Sequence, residues 1–233
     1  PERKENYGHI EHVSVEKAKS GKNKAELITK AEWKSPDNEK LLDEETRFIF
    51  RQEDEDIRII DRETTLEAVA DKVNFNDNKE GMFAIRVARE LELPSNKPTK
   101  LMDSHGNVTE VKNMDNSKVK GNYRSSKGVE GAEVWGTRAR WMKLSSVING
   151  EKVALVIIDH PSNVGYPTYW HARGYGLFAA NTLGQKIFSD GEKELNFSLN
   201  EGESTTFKYR LVVASDELSD EKINELADEF TSF

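Results

Sequence analysis

The chain has no cysteine. Disulfides, thiolate metal sites and a cysteine nucleophile are therefore excluded, and the redox compartment stays open. No apolar run approaches the roughly 18 residues that a membrane helix needs. The longest, Val153–Ile158, has the length of a strand. Basic residues form no stripe interleaved with aromatics; they are scattered among acidic ones, for a net charge of −8. A nucleic-acid footprint needs clustered Lys and Arg to replace counterions, and an acidic surface disfavours anionic membranes. Neither nucleic acid nor membrane is expected as a partner. Also missing are an internal repeat, a Gly-rich phosphate loop between strand and helix, a G-x-S-x-G elbow and an H-E-x-x-H zinc motif. The chain opens at Pro1 without Met or a signal peptide. It reads as a processed or truncated product, so a periplasmic or secreted origin and a cytoplasmic one both remain open.

What is present is a set of strand signals. Hydrophobic residues make up only 36%, against 33% charged, yet they are concentrated in alternating runs. That concentration argues against disorder and for a mostly β fold, read as a single domain over 1–233. Expected strands are His9–Val15, Ala25–Trp33, Lys40–Arg51, Ile57–Leu66, Glu80–Leu91, Val134–Met142, Lys152–Asp159, Leu177–Ala180, Lys193–Leu199 and Thr205–Ala214. Glu53-Asp54-Glu55-Asp56 is carboxylate-rich but lacks the alternating ligands, central Gly and distal Glu of an EF-hand loop. It reads as a solvated hairpin loop. Residues 93–128 are rich in Asn, Lys, Ser, Gly and Asp and read as a long irregular excursion with one short hairpin. One helix is expected at 219–231. Ser219 is its N-cap, Asp220 and Glu221 suit the positive helix start, and Ile223, Leu226, Ala227 and Phe230 recur at helical spacing.

Chemistry-bearing residue types are densest after the most apolar strand, in Asp159-His160-Pro161-Ser162-Asn163 and Tyr169-Trp170-His171-Ala172-Arg173-Gly174-Tyr175-Gly176. If 170–176 is extended, His171, Arg173 and Tyr175 share one face. His160 and His171 are acid/base candidates, because an ordinary imidazole titrates near neutrality. The alternative for His160 is a structural histidine organising the Pro-Ser-Asn turn. For Arg173 it is a structural carboxylate partner. On the expected strand at Glu80–Leu91, Gly81, Phe83, Ile85 and Val87 form a core face. Glu80, Met82, Ala84 and Arg86 form a second face that could line a groove. Glu80 is thus the candidate carboxylate. Arg173, Arg138, Arg86, Tyr175, Trp170 and Asn163 are candidate ligand contacts. Trp135, Trp141 and Trp170 have the shape to stack on a sugar, and at least one of them is expected in the core. A metal site from His160 and His171 with Asp159 or Glu80 is the less favoured reading, so no metal and no cofactor is expected.

The runs Asn78–Arg86, Glu133–Trp141, Asp159–Asn163 and Pro167–Asn181 together resemble an uncharacterised bacterial family that carries the label methane oxygenase PmoA. The likeness covers most of the chain, from about Gly8 to Ala214. It implies a galactose-mutarotase-like β supersandwich and a carbohydrate connection, since members often lie near genes for sugar oxidation and hydrolysis. Methane oxidation itself needs a membrane-embedded or metal-rich subunit, and this sequence shows neither. Relatives usually carry a D-H-x-H-H-R-G-type block upstream of the region where this chain begins. Mutarotase-like catalysis uses a histidine acid and a carboxylate base, roles that His160 or His171 with Glu80 would fill. The expected function is acid/base chemistry of epimerase, lyase or hydrolase type on a sugar, an oxidised sugar or another small polar ligand. The alternative is a carbohydrate-binding or accessory module without catalysis.

Overall fold

The computed structural model describes residues 7–103 and 105–233, apart from the side chain of Thr99. Its strands are β1 (His9–Ser20), β2 (Lys24–Lys34), β3 (Lys40–Gln52), β4 (Ile57–Ala68), β5 (Lys72–Phe75), β6 (Phe83–Arg86), β7 (Thr99–Met102) and β8 (Val108–Val111). They continue with β9 (Asn122–Ser125), β10 (Trp141–Ile148), β11 (Glu151–Asp159), β12 (Tyr169–Ala172), β13 (Leu177–Asn181), β14 (Phe197–Asn200) and β15 (Ser204–Ala214). Two helices, α1 (Gln185–Phe188) and α2 (Asp220–Phe230), complete the described elements. The fold is mostly β, with antiparallel sheets and a C-terminal helix.

The large sheet has the order β1-β2-β3-β4-β15-β11-β10-β9. Alternation along its central strands gives it two apolar faces. On one face Ile57, Ile59, Trp141, Val156, Ile158 and Val212 are covered by α2 through Ile223, Leu226 and Phe230. Ser219 caps α2 by accepting the Lys222 amide at 3.2 Å. Beneath the helix the buried Arg210 clamps Asp61, with Nε to Oδ1 at 2.5 Å and Nη2 to Oδ2 at 2.9 Å. Its third nitrogen donates to the Leu226 carbonyl. A buried cation thus meets both a carboxylate and a helix carbonyl, which offsets its desolvation.

The opposite face carries a three-stranded sheet, β12-β13-β6. Register sorts its side chains. Trp170 pairs with Ala180, Ala172 with Phe178, Phe178 with Ile85 and Ala180 with Phe83. These residues point inward and pack on Leu66, Met142, Leu144, Ile157, Phe207 and Tyr209. His171, Ala179 and Ala84 lie in one row on the outer side. The hairpin loop at Glu53–Asp56 is closed by the Asp54 carboxylate, which accepts the Asp56 and Ile57 amides.

Several expected elements are corrected. No strand runs through Val134–Met142. Residues Gly131–Val134 form a 3-10 turn, Gly136 takes φ of 72°, and β10 starts only at Trp141. Alternating aromatics imitated a strand, but the left-handed glycine breaks it. The expected strand at Glu80–Leu91 shrinks to β6, because Gly81 has φ of 124° and a 3-10 turn occupies Arg89–Leu91. The expected Lys193–Leu199 strand becomes β14, starting at Phe197. Within 93–128 lie the β7–β8 hairpin and β9, which joins the large sheet. A second helix, α1, was not expected.

Candidate functional site

The outer side of the small sheet gathers His171, Arg173 and Trp135, and the last two carry buried polar atoms without a partner among the described residues. Its floor is the row His171, Ala179 and Ala84, with Arg173 and Arg86 one row further along beside Leu177. The segment 135–138 runs beside β12. The Gly136 amide donates to the Trp170 carbonyl, the Trp170 amide to Thr137, and Arg138 bridges Tyr169. This places Trp135 next to the strand. The Arg173 guanidinium lies over its ring at 4.4 Å. Phe188 of α1 stacks on Tyr169 at 5.5 Å and meets Trp135 and His171 edge-on at 5.4 and 5.9 Å. The result is a wall of three aromatic rings around the histidine.

His171 is 3% exposed, and its Nδ1 lies 2.8 Å from the Lys79 carbonyl oxygen. A carbonyl only accepts, so Nδ1 carries the proton and Nε2 the lone pair. Nε2 has no hydrogen-bond partner among the described residues. Burial lowers the pKa of the ring; the Lys79 carbonyl and the Glu80 charge oppose that, and the Arg173 charge reinforces it. His171 is therefore neutral at pH 7, with a basic nitrogen free. Two buried donors beside it also lack partners among the described residues: Trp135 Nε1 and Arg173 Nε. Glu80 has a side chain 67% exposed, and its nearest ionic partner is Lys79 Nζ at 3.8 Å. It is a carboxylate at the rim, within electrostatic reach of His171.

The other candidates divide. Arg86 lies over the Tyr175 ring at 5.6 Å and donates to the Tyr175 carbonyl at 3.2 Å, and both residues stay at the exposed edge of the same face. The expected strand alignment of Tyr175 with His171 and Arg173 does not form. Residues 173–176 make a turn closed by the Gly176 amide on the Arg173 carbonyl. Arg138 holds the preceding loop through the Pro167 and Gly165 carbonyls, and lies over Tyr169 at 5.0 Å. Trp170 points away from this face. It is fully buried, and its indole donates to Ala139. Asn163 is committed as well: its amide donates to Asp159 Oδ1 and the Lys208 carbonyl, and accepts the Lys208 amide, all at 2.7 Å.

His160 faces the other way, toward α2. Its Nδ1 accepts the Ser162 amide at 3.1 Å and lies 2.7 Å from the Ser162 hydroxyl. The proton therefore sits on Nε2, which looks toward the Phe230 and Thr231 carbonyls at the helix end without a well-formed bond. Its ring packs edge-on against Phe230 at 5.0 Å. Burial and the Lys208 charge lower its pKa. The two histidines do not converge. Asp159 is buried between the sheets, and burial raises its pKa to about 7 although Asn163 and the Thr168 amide donate to it.

Phe188 carried no sequence signal, because α1 is one short turn without a pattern. The open donor of Trp135 was equally illegible, since it depends on where 135–138 docks. Among the described residues, no group of three or more His, Asp or Glu side chains could hold a metal ion. No helix among them is long and apolar enough to cross a membrane.

Fold and site together define a mostly antiparallel β protein that presents a neutral buried histidine and unpaired donors on its smaller sheet. The chain matches the model described as Family of unknown function (DUF6807) over residues 1–228, and belongs to that family. No curated protein matches it.

Proposed function

We propose that the outer face of the small sheet binds a sugar or oxidised sugar and that His171 acts there as the acid/base group. The observation that carries this reading is the tautomer of His171. Its Nδ1 proton is fixed by the Lys79 carbonyl, and Nε2 stays unpaired beside two idle N–H donors. A polyhydroxylated ligand supplies both kinds of partner: hydroxyl hydrogens for Nε2 and oxygens for Trp135 and Arg173. Arg173 favours a ligand that carries a carboxylate, and the Trp135, Phe188 and Tyr169 rings suit the apolar side of a pyranose. In the catalytic form His171 Nε2 takes a proton from the ligand and Glu80 serves as its partner at the rim. The resemblance to the PmoA-labelled family supports the same substrate class. It also supports reading the two packed sheets as a galactose-mutarotase-like supersandwich.

One observation favours binding without catalysis: the Glu80 carboxylate is not held by a close partner. Calorimetric titration with galactose, glucose, galacturonate and gluconate tests both forms, with turnover followed by polarimetry and NMR. Binding with turnover that is lost in His171→Asn supports the enzyme. Binding without turnover supports the module. Absence of binding to all four sinks the carbohydrate reading.

A further inference from the structure

An arginine without hydrogen bonds lies on the inner face of the large sheet, on the opposite side of the small sheet from His171. One row of cross-strand neighbours there reads Leu27, Phe48, Arg62, Tyr209 and Asp159. Arg62 is the unusual member. Its side chain is 18% exposed, and it makes no hydrogen bond among the described residues. Its nearest carboxylate, Glu44, is 3.8 Å away. Glu44 is already engaged by Trp33 Nε1 and by the Thr46 hydroxyl, each at 2.6 Å. The remaining contact is the Phe83 ring of the small sheet, 5.8 Å from the guanidinium carbon. Burial lowers the pKa of Arg62, and the Glu44 charge only partly restores it. The guanidinium thus makes no hydrogen bond among the described residues, although a charge on a side chain only 18% exposed normally finds hydrogen bonds as well as a counter-charge. Arg210, on the other face of the same sheet, shows the satisfied case, with both Asp61 oxygens and a carbonyl.

The surroundings define what fits. Beside Arg62 the sheet is apolar: Phe48 stacks near Phe50 at 6.1 Å, and Phe50 pairs with Ile60 and Ala25. Depressions of about 360 and about 240 Å³ open beside the neighbouring Ala25–Phe50–Ile60 row, the first at Ala25, Phe50 and Ile60, the second at Ala18, Ala25, Leu27 and Phe50; Arg62 and Phe48 line neither of them. A planar carboxylate matches the guanidinium fork. The neighbouring Glu44 charge acts against a dianion such as phosphate. We propose that Arg62 receives the carboxylate of a monoanionic ligand whose aliphatic or aromatic body lies over Phe48, Phe50, Ile60 and Leu27.

Octanoate is the probe, with 1-octanol and octyl phosphate as controls, titrated calorimetrically into the whole chain. Octanoate binds, and both controls bind at least about tenfold more weakly, the loss expected for a charged hydrogen bond. Arg62→Met weakens octanoate roughly ten- to a hundredfold. Glu44→Gln tightens it, because a like charge is removed. Silence with octanoate overturns the proposal. So does octanol binding as tightly as octanoate, or unchanged octanoate affinity in Arg62→Met. If Arg62→Met fails to fold, Glu44→Gln decides: weaker or unchanged octanoate binding in that variant overturns the assignment. Octanoate binding leaves galactose and galacturonate titrations unaffected, which separates failure here from failure at His171.

Discussion

His160 and His171 sit at the two ends of one polar-aromatic segment, and both are nearly fully buried. Burial lowers the pKa of each, so both rings are neutral at pH 7. They differ in which nitrogen the fold has taken. At His160 the Ser162 amide and hydroxyl occupy the lone pair of Nδ1, and the remaining N–H faces the carbonyls ending α2. At His171 a carbonyl occupies the proton of Nδ1, which leaves a lone pair over. A histidine with its acceptor used ties a turn to a helix. One with its donor used retains a base. Residue type and burial do not distinguish them; the hydrogen bond at the other nitrogen does.

The largest expected effect tests this contrast directly. His171→Asn lowers turnover of a responsive sugar by about 10²–10⁴, the usual contribution of a positioned acid/base group. His160→Asn leaves kcat/KM within about threefold and instead lowers stability by about 1–3 kcal/mol through its lost turn and ring contacts. Steady-state kinetics and urea unfolding on both variants read the two axes. Loss of turnover in His160→Asn with His171→Asn active would invert the assignment.

Next in size is Asn163→Ala. It strands a buried carboxylate oxygen of Asp159 and both backbone groups of Lys208. Loss of about 2–4 kcal/mol in urea unfolding is expected, with sugar affinity unchanged. Affinity falling with stability intact would move Asn163 to the binding face.

The fold was largely legible where apolar residues repeat at the period of their element. Thr205–Ala214 and the Ser219-capped helix were read nearly to their ends, because Phe207, Tyr209 and Leu211 or Ile223, Leu226 and Phe230 repeat at the period of their element. Legibility stopped where glycine backbone overrides side-chain pattern, at Gly81 and Gly136. At the site, strand alternation put His171 and Arg173 on one face and Ala84 and Arg86 on one face, while only the resemblance joined the two segments; the pairing of β13 with both β12 and β6 is what brings them together. The separation of His160 did not, because it depends on how a turn docks against a helix remote in sequence. Trp170 was misread for a simpler reason: it alternates with His171, so once His171 faces outward Trp170 must face the core.

A pH comparison sharpens the His160 side. Burial raises the Asp159 pKa to about 7 from an ordinary 3.8. Between those values the folded protein binds a proton that the unfolded chain does not, so this group's contribution to stability falls as pH rises from about 4 to about 7. The two histidines act oppositely. Their pKa values are lowered, so the unfolded chain binds more protons and stability rises with pH near 6.5. Asp159→Asn therefore removes the falling term alone. Urea unfolding at pH 5 and pH 7 should show stability rising more steeply with pH in Asp159→Asn than in the native chain. Equal slopes would mean that Asp159 is ionised throughout, held by Asn163 and the Thr168 amide.

The smallest expected effect falls on the His171 side, at Trp135. Its buried Nε1 has no acceptor among the described residues, while its ring carries Arg173 and meets Phe188. Trp135→Phe removes the idle donor and keeps an aromatic surface. An unpaired buried N–H is a liability to the free protein, so stability should hold or rise by up to about 1 kcal/mol. If the donor serves a ligand oxygen, sugar affinity should drop by roughly three- to tenfold in the same variant. The opposite signs matter more than the sizes: a ring present only for packing loses stability and leaves affinity alone. His160→Asn, at a ring packed on Phe230 away from the outer face of the small sheet, should not produce that pairing of a steadier fold with a weaker ligand.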